Sequence, residues 1–331
     1  MASPQNEKAN TQEKKHWANI EEAGVYWCMK FMLMVHSVLG KFIFLLILYP
    51  VVSYYFFMNK LARGASLDYL HQVARFTGKN PASVSYWQSY QHFIQFAQSM
   101  VDKVSAWNNK IKFEDVVIQG REEFYQAAKK NHGAILLGSH LGNVEICRAL
   151  VTLNHNTKLT ILVHTKHAQN FNRILSEANP NHTTELIQVT DMGPDIAILL
   201  EQRIAAGEFI YIVGDRVPVK NNGRTSMAEF LGKPAQFAQG PFILAALLKC
   251  PVYTLFCVKE SGAYHLYFEH FADRITMPRK TRSEALQAYV QTFATRLEHH
   301  CLKAPKQWFN FYYYWDTPQT TSAEKPSSKI D

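Results

Sequence analysis

The stretch Ala134-Ile-Leu-Leu-Gly-Ser-His-Leu-Gly-Asn-Val-Glu145 indicates the fold. It begins with a short apolar run, continues with a segment that contains two glycines, and then reaches Asn143, a residue type that commonly begins helices. Residues 134–137 predict a buried strand and residues 138–142 a turn. Asn143 is the predicted N-cap of a helix that extends toward Leu153. The stretch is therefore typical of a strand, a turn and a helix in succession, with His140 in the turn.

His140 and Glu145 are five residues apart, and this spacing restricts how they can interact. Within one α-helix the two side chains would point roughly 140° apart, so they can meet only across a turn. A carboxylate on one imidazole nitrogen fixes the tautomer and leaves the other nitrogen as a base. We therefore predict that His140 is a base oriented by Glu145. The alternative is a helix-capping loop with a solvent-exposed histidine.

The glycines of the turn suggest close contact with a ligand. Gly138 and Gly142 let the backbone approach a bound molecule, and free N–H groups at the start of a helix attract anions. We predict that the N–H groups near Gly142 and Asn143 hold an anion or a developing oxyanion.

Short apolar runs alternate with amphipathic segments from Ile111 onward. The predicted strands are Val116–Ile118, Ala134–Leu137, Leu159–Val163, Glu185–Val189, Phe209–Val213, Val252–Val258 and Tyr264–Phe268. The predicted helices are Glu122–Lys130, Val144–Leu153, Ala168–Glu177, Pro194–Ala206, Pro241–Leu248 and Ser283–Leu302. This alternation predicts an α/β fold, with a mostly parallel or mixed sheet covered by helices on both faces. Ligands bind beyond the carboxyl ends of strands in such sheets, where His140 falls.

Gly214-Asp215-Arg216 ends the predicted strand Phe209–Val213. If that strand is parallel to Ala134–Leu137, the charged pair lies at the same sheet edge as His140. We predict that Arg216 clamps a phosphate or a phosphopantetheine group and that Asp215 orients it. The alternative is a structural ion pair that closes a turn.

The stretch Phe230–Pro241 combines glycines and prolines ahead of an apolar helix. We predict a rigid loop that lines the ligand site, with Gly232 in the loop and with Lys233 and Arg224 adding positive charge around it. An ordinary surface loop is the alternative. His164 and His167 lack a carboxylate or a cysteine at ligand spacing, so no metal site is predicted.

The N-terminal region divides into a polar tail over residues 1–16 and a segment over residues 17–60, of which Phe31–Met58 is almost wholly apolar. The charge-free part, Phe42–Met58, is near the short end of the roughly 17–25 residues that a membrane span needs. We predict that residues 17–60 form a membrane-associated helix, either spanning or interfacial, with a buried core helix as the alternative. A helical scaffold is predicted for residues 61–110, the catalytic domain for 111–316 and a flexible tail for 317–331.

The net charge of +8 is compatible with nucleic acid, anionic lipid or an acidic carrier protein as partner. The five cysteines are scattered and form no C-x-x-C pair, which favours a reducing compartment without a disulfide framework. Composition therefore restricts the class of partner without choosing one.

The ordered motifs Gly138–Glu145, Ile212–Pro218, Phe230–Ala235, Pro241–Ala245 and Pro251–Leu255 resemble the lysophospholipid acyltransferase superfamily. Within it the chain looks most like the bacterial late acyltransferases of lipid A biosynthesis. The resemblance implies an αβα layered fold and transfer of a fatty acyl group to a lipid. The third motif lacks the Glu-Gly-Thr or Glu-Gly-Ser signature of glycerophosphate acyltransferases, which favours a specialised lipid acceptor over lysophosphatidate.

The resemblance also implies roles and partners. His140 matches the base of the family, Glu145 its acidic position, and Arg216 the basic residue that contacts the acceptor. The donor would be acyl carrier protein or a coenzyme A thioester, with no further cofactor and no nucleic acid. The implied location is the bacterial inner membrane, with the catalytic domain on its cytoplasmic face. A hydrolase with the same dyad, or an inactive membrane protein that binds lipid or carrier, is the alternative.

Overall fold

The computed structural model describes residues 46–107, 111, 116–129, 132–143, 145–146, 158–163, 184–188, 193–217 and 224–315. Both predicted tails, most of the 17–60 segment, the helix Ala168–Glu177 and the His164–His167 pair lie outside the described residues. The helix predicted to begin after Asn143 is described only at residues 145–146.

The described α-helices are α1 (46–58), α2 (Lys60–Phe76), α3 (Tyr86–Trp107), α4 (Arg121–Lys129), α5 (Pro194–Ala205), α6 (Gly240–Leu248) and α7 (Arg282–Lys303). Short 3-10 helices cover Pro81–Ser83 and Pro305–Gln307. The predicted helices that fall on described residues, α4 to α7, are confirmed within one residue at each end.

The strands are β1 (Val116–Gln119), β2 (Ala134–Gly138), β3 (Leu159–Val163), β4 (Thr184–Gln188), β5 (Phe209–Val213), β6 (Thr225–Phe230), β7 (Lys233–Ala238), β8 (Val252–Glu260) and β9 (Ala263–Ala272). All but β6 and β7 join one sheet in the order β1-β9-β8-β2-β5-β3-β4. Neighbours pair in parallel except β8 and β9, which pair antiparallel. The mixed sheet is therefore confirmed, and each predicted strand lies in it.

Strand β2 is buried along its whole length, which explains its unbroken apolar sequence. Ile135 and Leu137 belong to a core cluster that includes side chains of α5, α6 and α7. Ala134 and Leu136 belong to a second cluster, which includes Ala127 of α4. Because successive side chains of a strand point to opposite faces, helices cover both faces of the sheet, as predicted.

The N-terminal helices form a layer of their own beside the sheet. Helix α1 buries Leu48, Val52 and Phe56 in a cluster with residues of α3. Near the C-terminal end of α3, the Asp102 carboxylate accepts hydrogen bonds from Lys259 Nζ at 3.0 Å and from the Tyr264 hydroxyl at 2.5 Å. None of the described helices is long and apolar enough to cross a membrane. A membrane-associated N-terminal helix therefore stays a prediction.

The segment predicted as a loop over Phe230–Pro241 is instead largely a β-hairpin, and the prediction was wrong in this respect. Strands β6 and β7 pair antiparallel, with Phe230 opposite Lys233. The two turn residues between them, Leu231 and Gly232, both have positive φ, as the tight turns that match strand twist require. Phe237 is fully buried in the core, so the segment packs against the domain.

Candidate active site

The site forms where β2 and β5 end side by side. The two strands are parallel, Gly138 is in register with Val213, and the Gly214 N–H donates to the Gly138 carbonyl at 2.9 Å. His140 and Asp215 each follow their strand by two residues. The prediction that both lie at one sheet edge is confirmed.

His140 and Asp215 are joined by two hydrogen bonds. The imidazole Nδ1 lies 2.8 Å from Oδ1 of Asp215, and the backbone N–H of His140 donates to Oδ2 at 2.9 Å. A carboxylate only accepts, so Nδ1 carries the proton. The carboxylate that accepts the hydrogen bond from Nδ1 therefore belongs to Asp215, whereas the sequence had indicated Glu145. A catalytic role for Glu145 stays a prediction.

Asp215 is fully buried and receives two further donors. The Trp308 indole Nε1 lies 2.9 Å from Oδ2, and Asn310 Nδ2 lies 3.1 Å from the same atom. Burial acts to raise the pKa of Asp215, but the His140 contact and the charge of Arg216 outweigh it and lower the pKa to about 2. The carboxylate is therefore ionised at neutral pH and held by four donors.

The pKa of His140 is lowered from its ordinary value of 6.5. Burial and the charge of Arg216 lower it, and Asp215 opposes them. The side chain remains 28% exposed, and no described residue hydrogen bonds its Nε2 atom. His140 is thus neutral at neutral pH, with an unprotonated nitrogen available to accept a proton.

The N–H groups predicted to hold an oxyanion are already engaged. The Gly142 N–H donates to the Gln307 carbonyl and the Asn143 N–H to the Cys257 carbonyl, both at 2.8 Å. Gly142 has a φ of 70°, and a Cβ there would lie 1.8 Å from the Cys257 oxygen. These residues fasten the loop to β8, so the oxyanion prediction was wrong for these two groups, and ligand binding by Gly142 and Asn143 stays a prediction.

Asn143 does cap the following turn, as predicted. Its Oδ1 atom accepts the Glu145 N–H at 3.1 Å. The Glu145 side chain is only 7% exposed, and its charge acts on Lys103 of α3. Burial lowers the pKa of Lys103, Glu145 opposes this, and Arg216 adds to it. Lys103 is thus a cation of the site that no sequence motif indicated.

The segment 307–310 was also missed as part of the site. The Phe309 N–H donates to the His140 carbonyl at 2.9 Å, which fixes this segment beside the loop. Arg216 donates through Nε to Asn310 Oδ1 at 2.7 Å and through a terminal nitrogen to the Phe309 carbonyl at 3.0 Å. Asn310 stands out as an amide within an aromatic run, which is the one sequence signal that marks it.

Arg224, Gly232 and Lys233 do not lie together. Arg224 precedes β6, whereas Gly232 and Lys233 lie at the turn, which places them about 20 Å apart along the hairpin. Arg224 is exposed, and a Cβ at Gly232 would lie 3.2 Å from the Phe76 ring. Their role in binding substrate stays a prediction. Among the described residues, no group of three His, Cys, Asp or Glu could hold a metal ion.

Comparison with known proteins identifies the family. The family model for bacterial lipid A biosynthesis acyltransferases matches residues 12–317, nearly the whole chain. Comparison with individual curated proteins gives no match. The family match confirms the resemblance drawn from the ordered motifs. The chain belongs to the bacterial lipid A biosynthesis acyltransferases and is an acyltransferase enzyme.

Proposed function

We propose that the protein transfers a fatty acyl group from a thioester to a hydroxyl group of a lipid acceptor. In this reaction His140, oriented by Asp215, is the general base. The observation that carries this proposal is the 2.8 Å contact between Nδ1 and Oδ1 at the carboxyl ends of adjacent parallel strands. The family supports an acyltransferase that acts on a lipid. The alternative acceptor group, an amine, would use the same base.

The proton follows a short route in this mechanism. The acceptor oxygen attacks the thioester carbonyl as its proton passes to Nε2 of His140, and Asp215 stabilises the imidazolium that forms. The tetrahedral intermediate then collapses, the carbon–sulfur bond breaks, and the imidazolium returns the proton to the departing thiolate. The acyl group ends as an ester on the acceptor, and no acyl-enzyme is formed.

Cations rather than loop N–H groups are proposed to stabilise the oxyanion. The charges of Lys103 and Arg216 both lower the pKa of His140, so both cations are close enough to act on the imidazole and on a charge that develops beside it. Arg216 is also proposed to contact the acceptor, and Glu145 to balance the charge of Lys103. Because a low-dielectric site strengthens such charges, they would favour the tetrahedral intermediate over the neutral thioester.

The donor is proposed to be acyl carrier protein or an acyl coenzyme A thioester, used as a co-substrate without a further cofactor. The net charge of +8 complements an acidic carrier and an anionic membrane surface alike. Nucleic acid is not among the proposed partners.

Helix α1 is proposed to attach the enzyme to the bilayer. One stripe of the helix packs on α3, yet the rest is also apolar and exposed: Leu46, Ile47, Tyr49, Val51, Tyr54, Tyr55, Phe57 and Met58. Residues 46–67 contain no Asp or Glu. Exposed Trp87 of α3 continues this surface, since it stacks on Tyr90, whose hydroxyl lies 2.8 Å from Ser53 Oγ. Aromatic and aliphatic side chains in this arrangement suit the membrane interface. We place this surface on the cytoplasmic face of the inner membrane.

The test is an acyl-transfer assay with the purified full-length protein. Labelled acyl carrier protein or acyl coenzyme A is incubated with a total bacterial lipid extract, and the labelled lipid is identified by mass. We expect transfer by the wild type and none by His140→Ala. The matched control is His132→Ala, because His132 is exposed and precedes β2 at the opposite end of the strand. Acyl release at the same rate without lipid would instead favour the hydrolase, and transfer by His140→Ala would contradict the proposed base.

A further inference from the structure

A buried chain of hydrogen bonds runs between α2 and α3 and ends at the C-terminal segment. Ser89 Oγ donates to Ser66 Oγ at 2.8 Å, Ser66 Oγ lies 3.0 Å from His92 Nδ1, and His92 Nε2 lies 3.0 Å from the Trp308 carbonyl oxygen. All four residues are fully buried.

The direction of each hydrogen bond in this chain is fixed. A carbonyl oxygen only accepts, so Nε2 of His92 carries the proton and Nδ1 accepts from Ser66. The Ser66 oxygen then accepts from Ser89. Burial lowers the pKa of His92 to about 4, so the ring is neutral at neutral pH. With both nitrogens engaged and no exposure, His92 has no route to substrate, and what it can supply is geometry.

Trp308 connects this chain to the catalytic pair. Its carbonyl accepts from His92, while its indole N–H donates to Asp215 Oδ2 at 2.9 Å. The ring is held between Tyr69 at 4.9 Å and Tyr314 at 4.7 Å between ring centroids. A rotation or shift of the Trp308 backbone would therefore move the donor that fixes one oxygen of Asp215. The other oxygen of that carboxylate is the one on Nδ1 of His140.

We propose that His92 is a positioning residue for acyl transfer. It fixes the Trp308 backbone, the Trp308 indole fixes Asp215, and Asp215 orients His140. This inference rests on the proposed function of His140 and Asp215 but goes beyond it. It assigns a role in the reaction to the buried contact between α2 and α3 at Ser66 and His92, which is separate from Lys103 at the other end of α3.

Two substitutions at position 92 separate positioning from packing. His92→Gln keeps an N–H donor where Nε2 lies, whereas His92→Phe keeps a ring but leaves the Trp308 carbonyl with the Asn310 backbone N–H as its remaining donor. Because small displacements of catalytic groups cost up to about 100-fold in rate, we expect His92→Phe to lower kcat roughly 10- to 100-fold. KM for donor and acceptor should change less than about twofold, and His92→Gln should restore most of kcat. Equal losses in the two variants, or a loss confined to KM, would overturn the proposal.

A double-mutant cycle tests the route through the indole. Trp308→Phe removes the indole N–H, so His92→Phe should cost less than about threefold more in that background. If the kcat losses of the two single variants multiply in the double variant, His92 acts by a route other than the indole, and the proposal is overturned.

If His92→Phe does not fold, Ser66→Ala replaces it in the cycle. Without the Ser66 hydroxyl, the Nδ1 side of the His92 ring loses its hydrogen bond, so Nε2 is held less firmly toward the Trp308 carbonyl, and we expect the same pattern. Transfer by Asp215→Asn at the wild-type rate would instead contradict the proposed function itself, whatever the cycle shows.

Discussion

Asp215 accepts hydrogen bonds from both the side chain and the backbone of His140. One carboxylate oxygen lies 2.8 Å from Nδ1, and the other accepts the His140 N–H at 2.9 Å. The imidazole therefore cannot turn without breaking a contact to a fully buried, ionised group. This arrangement fixes the proton on Nδ1 and leaves Nε2 as the base, which is the property the reaction needs.

The pH dependence of the rate follows from the lowered pKa of His140. Protonated imidazole cannot accept a proton, so kcat/KM should rise with pH through the pKa of His140 in the free enzyme and level off above it. Because that pKa lies below 6.5, activity should already be on the plateau at neutral pH. Measuring kcat/KM from about pH 5 to about pH 8 checks this. An apparent pKa above 6.5 would contradict the electrostatics described for the site.

Gly142→Ala should destabilise the protein by about 3 kcal/mol or more, because the new Cβ would lie 1.8 Å from a backbone oxygen that cannot move aside. Gly78→Ala is the matched control. Its φ is also 70°, but a Cβ there meets nothing within 4 Å, so only the backbone strain of about 1–2 kcal/mol should appear. Urea unfolding measures both. Similar values for the two variants would show that the contact with β8 is unimportant.

Val51→Glu should weaken binding to vesicles while leaving the fold intact. Val51 is 58% exposed on the apolar surface of α1, so a charge there costs little in water but opposes insertion among lipids. Ile198→Glu is the control, since Ile198 is 55% exposed on α5. Sedimentation with vesicles that contain anionic lipid compares the two variants. Equal binding by both would remove α1 from the membrane contact.

His92 should make stability depend on pH between about 6.5 and 4. Its pKa in the folded protein is about 4, below the ordinary 6.5, so the unfolded chain takes up the proton first as pH falls. The contribution is present above pH 6.5 and is lost on acidification, by ~3.5 kcal/mol at most, because each pKa unit corresponds to about 1.4 kcal/mol. His92→Gln lacks this term. Its unfolding free energy should therefore fall less than that of the wild type between neutral and mildly acidic pH, and an equal fall would contradict the buried, neutral state of His92.

The sheet could be predicted because the burial of its strands is visible in the sequence as short apolar runs. An apolar run such as Ala134–Leu137 is stable only as a fully buried strand, and the ends of parallel strands meet at one edge. These two facts place His140 and Asp215 at the same sheet edge, but the contact between them depends on β2 and β5 being neighbours in register. The hairpin could not be seen in the same way, because Gly232 and Pro234 are typical of loops, and its pairing depends on the burial of Phe230 and Phe237.

The choice between two carboxylates could not be made from the sequence. Glu145 is near His140 in the chain, whereas Asp215 is near it in space only through the register of β2 and β5. The donors that complete the site, Trp308 and Asn310, come from a segment more distant still, fixed by contacts to the loop that contains His140. Such long-range contacts leave no pattern in a single sequence.

The most direct test of the catalytic pair is kcat for Asp215→Asn, measured with acyl thioester and lipid acceptor. Asparagine keeps the size of the side chain but can face Nδ1 with an N–H group, which favours the tautomer that has no free base. We predict a loss of roughly 10³- to 10⁴-fold in kcat, the size seen when the carboxylate behind a catalytic histidine is replaced in this way. The thermal unfolding temperature, measured alongside, reports whether the variant is folded. A folded Asp215→Asn enzyme with kcat within about threefold of the wild type would contradict the account.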